Sequence, residues 1–175
     1  AQVNASEPLK KGLWKQTGKT KITNQAAMLE WRGKEPEALH YLAKKVRSGD
    51  PDNIEGRAAM RYWNELFGKD FSRERFGGAP NPALNYGYIV LRAAVARALA
   101  GSGLLSSLGI HHRNRYNSFC LADDIMEPYR PYVDMLVSDM HEGGMNTEVL
   151  GKAEKAKLLK VLTCDVVIGK KKRPL

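Results

Sequence analysis

The sequence predicts an all-α protein, a helical bundle around one central apolar helix. Apolar residues recur at helical spacing through most of the 175 residues, and residues 81–99 are apolar on nearly every side. Only residues 166–168 are typical of a strand. Because a helix that is apolar all round is usually surrounded by others, we place residues 81–99 at the centre of about six or more helices.

The N-terminal quarter is predicted to form two helices. The first covers residues 1–33, with Ser6 as a suitable N-cap and Pro8 in the first turn. The second covers residues 34–47. Lysines crowd the first helix away from its apolar stripe, and such a run is expected to be solvated. These lysines are Lys10, Lys11, Lys15, Lys19 and Lys21.

A third helix is expected after Asp50, which can cap it, with Pro51 at the first helical position and Gly68 at its end. Glu55 borders the apolar stripe of this helix instead of lying opposite it. A carboxylate at the edge of a buried face needs a partner, since burying it unpaired is costly. That partner could be Arg57 or another arginine, or it could be a metal ion.

The remaining segments are a loop at 69–80, the apolar helix, a helix at about 123–141 and a helix at 153–162. The last of these is expected to bury Leu158, Leu159 and Leu162. The basic residues 170–173 could form an import signal or a nucleic-acid contact. We favour a third interpretation, a turn leading into a further segment.

Charge and cysteine content limit the classes of function. The net charge of +9 and the pI near 9.6 favour a polyanionic partner, nucleic acid before membrane. Cys120 and Cys164 stand far apart without CxxC spacing, which argues against zinc knuckles and a disulfide framework and fits a reducing cytoplasm. No signal peptide and no apolar run of membrane length are recognisable.

The stretch most suggestive of chemistry combines His111 and His112 with Asp124 and Glu127. At i and i+3 on a helix, the two carboxylates project from one face, where they need a cation or a proton between them. Imidazole and carboxylates without a cysteine suit a divalent metal such as magnesium or manganese. Acidic residues in a first turn, Asp123 among them, can equally do no more than oppose the helix dipole.

Three blocks of sequence resemble one family. The blocks look like the catalytic region of the CRISPR-associated spacer-acquisition integrases (Cas one), and they are most similar to members from type II systems. They read SGDPDNIEGRAAMRYWNELFG, NPALNYGYIVLRAAVARAL and GIHHRNRYNSFCLADDIMEPYRPYVD. The resemblance runs in order through nearly all of the chain. It implies that residues 1–175 are the α-helical catalytic domain, without the family's N-terminal β-rich domain. The last helix of the catalytic domain could also be missing from the chain.

The resemblance also implies the site residues. The family's metal ligands would be Glu55, His112 and Glu127. Asp124 would lie beside the metal as the fourth catalytic residue. His112 is preferred to His111 because the family's histidine falls three residues after the glycine, here Gly109.

The implied reaction is phosphoryl transfer with Mg²⁺ or Mn²⁺, in which 3′-hydroxyls of prespacer DNA attack phosphodiesters of a CRISPR repeat array. Water as the nucleophile would give endonuclease activity at the same site. Candidate DNA-binding residues are Arg113, Arg115, Lys44, Lys45 and Arg47. The implied partners are double-stranded DNA, a second copy of the full-length protein and the small companion protein Cas two. Type II systems would add the effector nuclease and a ring-forming accessory protein.

Two alternatives stay open. The chain could be a non-catalytic helical DNA-binding module whose acidic residues only cap a helix. It could also be a zinc hydrolase built on His111, His112 and a glutamate. Adjacent histidines point to different sides of a helix or strand and HExxH spacing is absent, which argues against the zinc hydrolase.

Overall fold

The structure, a computed structural model, describes residues 2–168 and 171–174 and confirms the all-α class. Within those residues, seven α-helices are followed by one antiparallel hairpin. The helices are α1 (Glu7–Trp31), α2 (Glu37–Lys45), α3 (Ile54–Phe67), α4 (Asn81–Gly101), α5 (Cys120–Met126), α6 (Arg130–Glu142) and α7 (Lys152–Leu159). The strands are β1 (Asp165–Ile168) and β2 (Lys171–Pro174).

The first half of the core lies between α1, α2 and α3. Ile22 and Leu29 of α1 pack with Leu39 of α2 and with Ala58 and Tyr62 of α3, and all five are essentially inaccessible to solvent. The predicted cap of α1 is confirmed, because the Leu9 N–H donates to Ser6 Oγ at 3.4 Å.

The second half lies between α4, α5, α6 and α7. Leu84 and Leu91 of α4 pack with Val133 and Val137 of α6 and with Leu158 of α7. Helix α6 contacts both α1 and α4 and so joins the two halves. Helix α4 is long and apolar as predicted, but it is buried on one side and not all round, since Ile89 is 56% exposed.

The predicted start of the third helix is wrong by three residues. Asp50 and Asn53 both have φ of +47°, so the chain turns there and α3 begins only at Ile54. Pro51 therefore lies in the turn before the helix. The Asp50 carboxylate still serves the helix end, because it accepts the N–H of Ile54 and of Glu55, each at 2.9 Å.

The single helix predicted at 123–141 is also wrong. Helix α5 begins earlier, at Cys120, and a 3₁₀ turn at Glu127–Tyr129 separates it from α6. Pro128 and Pro131 have no N–H for the bonds to residues 124 and 127 that a continuous α-helix needs. The turn places Glu127 at the junction of the two helices.

The C-terminal segment matches the prediction in part. Leu158 is buried, but Leu159 and Leu162 are 45% and 37% exposed, because a 3₁₀ turn at Lys160–Thr163 brings Val161 to the core instead. The predicted strand exists as β1, paired with β2. Of the basic run 170–173, Lys170 lies outside the described residues and the others belong to β2. No helix in the described ranges is both long and apolar enough to cross a membrane.

Candidate active site

The loop between α4 and α5 is held in place by hydrogen bonds to the buried carboxylate of Asp124. The backbone N–H groups of Ile110, His111 and His112 donate to the Asp124 carboxylate at 2.6, 2.9 and 3.2 Å. The ring of His112 completes the set, with Nδ1 2.6 Å from Asp124 Oδ1. Asp124 is fully buried, so this carboxylate fixes both the path of the loop and one nitrogen of the imidazole.

Gly109, which precedes Ile110 within this loop, is packed too closely to accept a side chain. A Cβ there would lie 2.3 Å from the backbone oxygen of His112 and 3.0 Å from Asp124 Oδ2. Contacts below 3 Å force the neighbouring atoms to move. The glycine therefore allows the loop to close over Asp124, which places His112.

The two histidines have different surroundings. His111 stacks on Trp14 of α1, with ring centroids 4.0 Å apart and the planes 4° from parallel. The His112 ring is nearly perpendicular to that of His111, at an interplanar angle of 87°, and meets the edge of Trp14. One imidazole is therefore used in packing, whereas the other is held by a carboxylate.

The contact between His112 and Asp124 favours the charged pair. The hydrogen bond that His112 donates to Asp124 raises the pKa of His112 above its ordinary value, and the charge of Glu127 contributes to the rise. Burial alone would raise the pKa of Asp124, but the hydrogen bonds from His112 and the backbone lower it below the usual range. The charge of Glu127 therefore favours the protonated imidazole together with that of Asp124.

Glu55 of α3 and Glu127 share a cation from α1. Lys21 Nζ contacts Glu55 Oε1 and lies 2.5 Å from Glu127 Oε2. The partner of Glu55 is thus a lysine, not Arg57 or another arginine. The expectation that Lys21 is solvated is wrong, since its side chain is only 12% exposed.

Glu127 has a second cationic partner. Its Oε1 lies 2.9 Å from the guanidinium of Arg130, and the residue is 5% exposed. Burial would raise the pKa of Glu127, but Lys21 and Arg130 together hold it below the ordinary value. Its Oε2 is held by the Lys21 ammonium, so each oxygen of this carboxylate faces a cation.

The donor set fits Mg²⁺ or Mn²⁺ in kind but is not yet arranged around an ion. Two carboxylates and one imidazole are suitable ligands for these metals. A ligating histidine commonly donates its other ring N–H to a carboxylate, as His112 can to Asp124 through Nδ1. In residues 2–168 and 171–174, however, no three His, Cys, Asp or Glu side chains converge closely enough to hold a metal. The cation between Glu55 and Glu127 in this structure is Lys21.

Behind Arg130 lies a buried acidic network that the sequence did not indicate. The hydroxyls of Tyr62 and Tyr88 donate to the Asp134 carboxylate at 3.0 and 2.5 Å. The Arg130 guanidinium lies over the ring of Tyr88, 4.6 Å from its centroid. Burial raises the pKa of Asp134 to about 7, although both tyrosines favour the ionised form.

Asp134 should therefore make the protein less stable as pH rises from about 4 to 7. In that range the folded chain holds a proton on Asp134 that the unfolded chain has lost, so the free energy of unfolding falls with pH. The effect is at most about 4 kcal/mol, at roughly 1.4 kcal/mol per pKa unit. Urea unfolding of wild type and Asp134→Asn from pH 4 to 8 measures it. We expect the advantage of wild type over the variant to shrink with pH; a constant difference would contradict the assignment.

The predicted DNA-binding cations are mostly engaged within the protein. Arg113 makes two contacts of 2.7 Å with the Glu7 carboxylate, and Arg47 pairs with Asp52 at 2.8 and 2.9 Å. Lys45 lies over Tyr41, Arg115 lies over Tyr116, and Lys44 is exposed. Their role in binding DNA stays a prediction.

A second group of cations, not singled out from the sequence, lines a cleft of about 920 Å³ beside the site. Arginines and aromatic rings both line its walls. They include Arg73, Arg75, Arg92, Arg130, Phe76 and Tyr86. Phe76 is 93% exposed, and Arg130 connects the cleft to Glu127. Guanidinium groups with exposed aromatic rings suit a nucleic-acid strand; we call this surface the arginine cleft.

Comparison with known proteins shows the family of this chain. The profile of the family described as CRISPR associated protein Cas1 matches residues 2–163. A CRISPR-associated endonuclease Cas1 from Neisseria meningitidis is 46% identical over 169 residues, which are 95% of this chain and 55% of the relative. A second, from Pyrobaculum aerophilum, is 32% identical over 149 residues, 71% of this chain and 49% of that protein. The chain thus spans about half the length of these relatives.

Solved structures share the fold. A casposase bound to integration product superposes with a TM-score of 0.77 at 22% identity, covering 97% of this chain and 60% of the other. A Cas1 protein from Thermotoga maritima superposes with a TM-score of 0.79 at 18% identity, covering 96% and 61%. The profile match, the relatives and the helical fold agree with the resemblance found in the sequence, and the chain belongs to the Cas1 family of CRISPR-associated proteins.

Proposed function

We propose that this chain carries the catalytic site of a metal-dependent DNA integrase and endonuclease, which inserts prespacer DNA into a CRISPR array by transesterification. The observation that carries the proposal is the pairing of His112 with Asp124 beside the carboxylates of Glu55 and Glu127. It is supported by 46% identity to a relative named as a CRISPR-associated endonuclease. The net charge of +9 suits a DNA substrate.

Glu55, His112 and Glu127 would hold a Mg²⁺ or Mn²⁺ ion through their carboxylate oxygens and the imidazole. When bound, the ion would supply activation of the attacking hydroxyl and neutralisation of charge at the phosphodiester. Asp124 would keep the neutral His112 ring in the tautomer with its lone pair on Nε2 by accepting the Nδ1 proton. Arg130 would hold the Glu127 carboxylate in place through its contact with Oε1.

In the proposed reaction, a DNA 3′-hydroxyl gives up its proton to solvent, and its oxygen forms a new bond to phosphorus. The bond between that phosphorus and the 3′-oxygen of the target strand breaks, and this oxygen takes up a proton. One phosphodiester is exchanged for another, so no external energy source is required. Water in place of the hydroxyl would give simple cleavage at the same site. The arginine cleft, Arg113 and Arg115 would contact the DNA backbone.

The remaining family expectations are proposals on the same basis. The full-length protein would form a homodimer and assemble with the small companion protein Cas two, and in type II systems with the effector nuclease and the accessory ring protein. For these 175 residues alone we propose weak dimerisation or none.

Branched DNA tests the reaction, because the same site can run strand transfer in reverse. The substrate has a free 3′-hydroxyl at the branch point, next to the strand segment to which the branch is linked. We expect this chain with Mn²⁺ to join that 3′-hydroxyl to the segment, which restores a continuous strand and releases the branch. A 3′-dideoxy end should prevent joining, while water-dependent cleavage persists. Joined product that is equally abundant with the dideoxy substrate would contradict transesterification.

A non-catalytic DNA-binding module stays the second candidate, because Lys21 already neutralises the acidic pair without a metal. This alternative predicts DNA binding that weakens with salt and no Mn²⁺-dependent product of either kind. The branched-DNA assay with and without EDTA distinguishes the two candidates.

A further inference from the structure

The Lys21 side chain joins elements that are otherwise far apart in sequence. It extends from α1 to Glu55 on α3 and to Glu127 at the junction of α5 and α6. Its side chain is 12% exposed, so the ammonium group is largely removed from water. Its contacts with two carboxylates make this ammonium the shared counter-charge of Glu55 and Glu127.

The local charges balance with Lys21 in place. Glu55 and Glu127 bring two negative charges, which Lys21 and Arg130 match with two positive ones. A divalent ion added to this arrangement would leave two uncompensated positive charges in a largely buried site. Such an excess is costly where solvent screening is weak.

The space between the two carboxylates also does not hold both the Lys21 ammonium and a divalent ion. Magnesium requires oxygen ligands at about 2.0–2.1 Å. The Lys21 ammonium already contacts Glu55 Oε1 and lies 2.5 Å from Glu127 Oε2. An ion bridging these two oxygens would occupy nearly the same position. The lysine side chain is long and flexible enough to withdraw its head group without moving α1.

We propose that Lys21 is the counter-ion of the metal-free site, and that a divalent ion enters by exchange with its ammonium group. Lys21 is then a positioning residue: it holds Glu55 and Glu127 together before the ion binds, and it lowers the affinity for that ion. The inference rests on the proposed function, since it takes these carboxylates as metal ligands.

Manganese titration by calorimetry tests the exchange without any assay of activity. Lys21→Met keeps most of the unbranched side chain, being one atom shorter, and removes its charge. We expect this variant to bind Mn²⁺ about tenfold more tightly than wild type, because no ammonium has to be displaced. Lys19→Met is the matched control, being exposed on the same helix, and should bind as wild type does. Unchanged or weaker binding by Lys21→Met would overturn the proposal.

Wild-type protein provides a second test that holds even if Lys21→Met folds poorly without metal. Brief treatment with a water-soluble, amine-reactive acetylating reagent, followed by mass spectrometry, reports whether each lysine is accessible. Lys21 should react slowly in EDTA and faster once Mn²⁺ is bound, whereas Lys19 should react alike in both. A Lys21 that stays protected at saturating Mn²⁺ would show that the ammonium is not displaced.

Glu55→Gln separates failure of the exchange from failure of the proposed function. If wild type binds Mn²⁺ and Glu55→Gln does not, the metal site stands, and the results for Lys21 decide the exchange alone. If wild type and Glu55→Gln bind Mn²⁺ equally weakly, these carboxylates are not the metal ligands. That result would overturn both the metal site and the exchange.

Discussion

Replacing His112 with alanine is expected to lower metal-dependent joining of branched DNA at least about 100-fold, the order of loss that misplacement of a reacting group can cause. The reason is that His112 would be the imidazole ligand, held by Asp124 through Nδ1. His111→Ala is the matched control and should keep measurable activity, since that ring stacks on Trp14 and His111 reaches Asp124 through its backbone N–H, which the alanine keeps.

Glu55→Ala and Glu127→Ala should lose as much activity as His112→Ala, because ligands that act as one unit do not give additive losses. Duplex DNA binding should fall much less in all three, being carried mainly by arginines and lysines. Activity in His112→Ala but not in His111→Ala would show that the wrong histidine is assigned. Full activity in both would remove the metal triad.

Gly109→Ala should inactivate the protein without removing any functional side chain. The new Cβ would meet the His112 backbone oxygen at 2.3 Å and Cys120 Cβ at 2.9 Å, so the loop must move away from Asp124. Moving it would weaken the three N–H bonds that hold the loop and would displace the imidazole. We expect a loss of activity approaching that of His112→Ala and a destabilisation of about 1–3 kcal/mol.

The measurement combines the branched-DNA assay with thermal unfolding. Gly101→Ala is the matched control, because a Cβ at that position has nothing within 4 Å. It should leave activity unchanged. Wild-type activity in Gly109→Ala would mean that the close packing of this loop does not place His112.

Much of the fold follows from local signals in the sequence. Helical periodicity located the main helices, and Ser6 was recognisable as a cap because its hydroxyl can serve the first turn. The break at Glu127–Tyr129 is hidden in the sequence because apolar spacing continues across it. Its one local signal is the pair Pro128 and Pro131, which lack the N–H groups that a continuous helix needs.

The candidate site was harder to predict because its partners are distant in sequence. The role of Lys21 depends on Glu55 and Glu127, which lie on other elements. One signal was available: Lys21 falls between Gly18 and Gln25, both buried on α1, at the spacing of one helix face. A lysine is seldom buried unless it is paired, so composition alone favoured a solvated position.

The acidic network around Asp134 has no comparable signal in the sequence. Tyr62, Tyr88 and Asp134 come from three helices and are brought together only by tertiary packing. Each is an ordinary residue at its own position in the sequence. The same holds for the arginine cleft, whose cations lie on the loop after α3, on α4 and on α6.

A crystal structure of the protein soaked with Mn²⁺ tests the central claim most directly, because anomalous scattering locates the ion independently of any assay. The account predicts one manganese ion bounded by carboxylate oxygens of Glu55 and Glu127 and by the His112 ring, with the Lys21 ammonium withdrawn from between the two glutamates. Manganese bound elsewhere, or no ordered manganese while Lys21 keeps its contacts with both carboxylates, would contradict it.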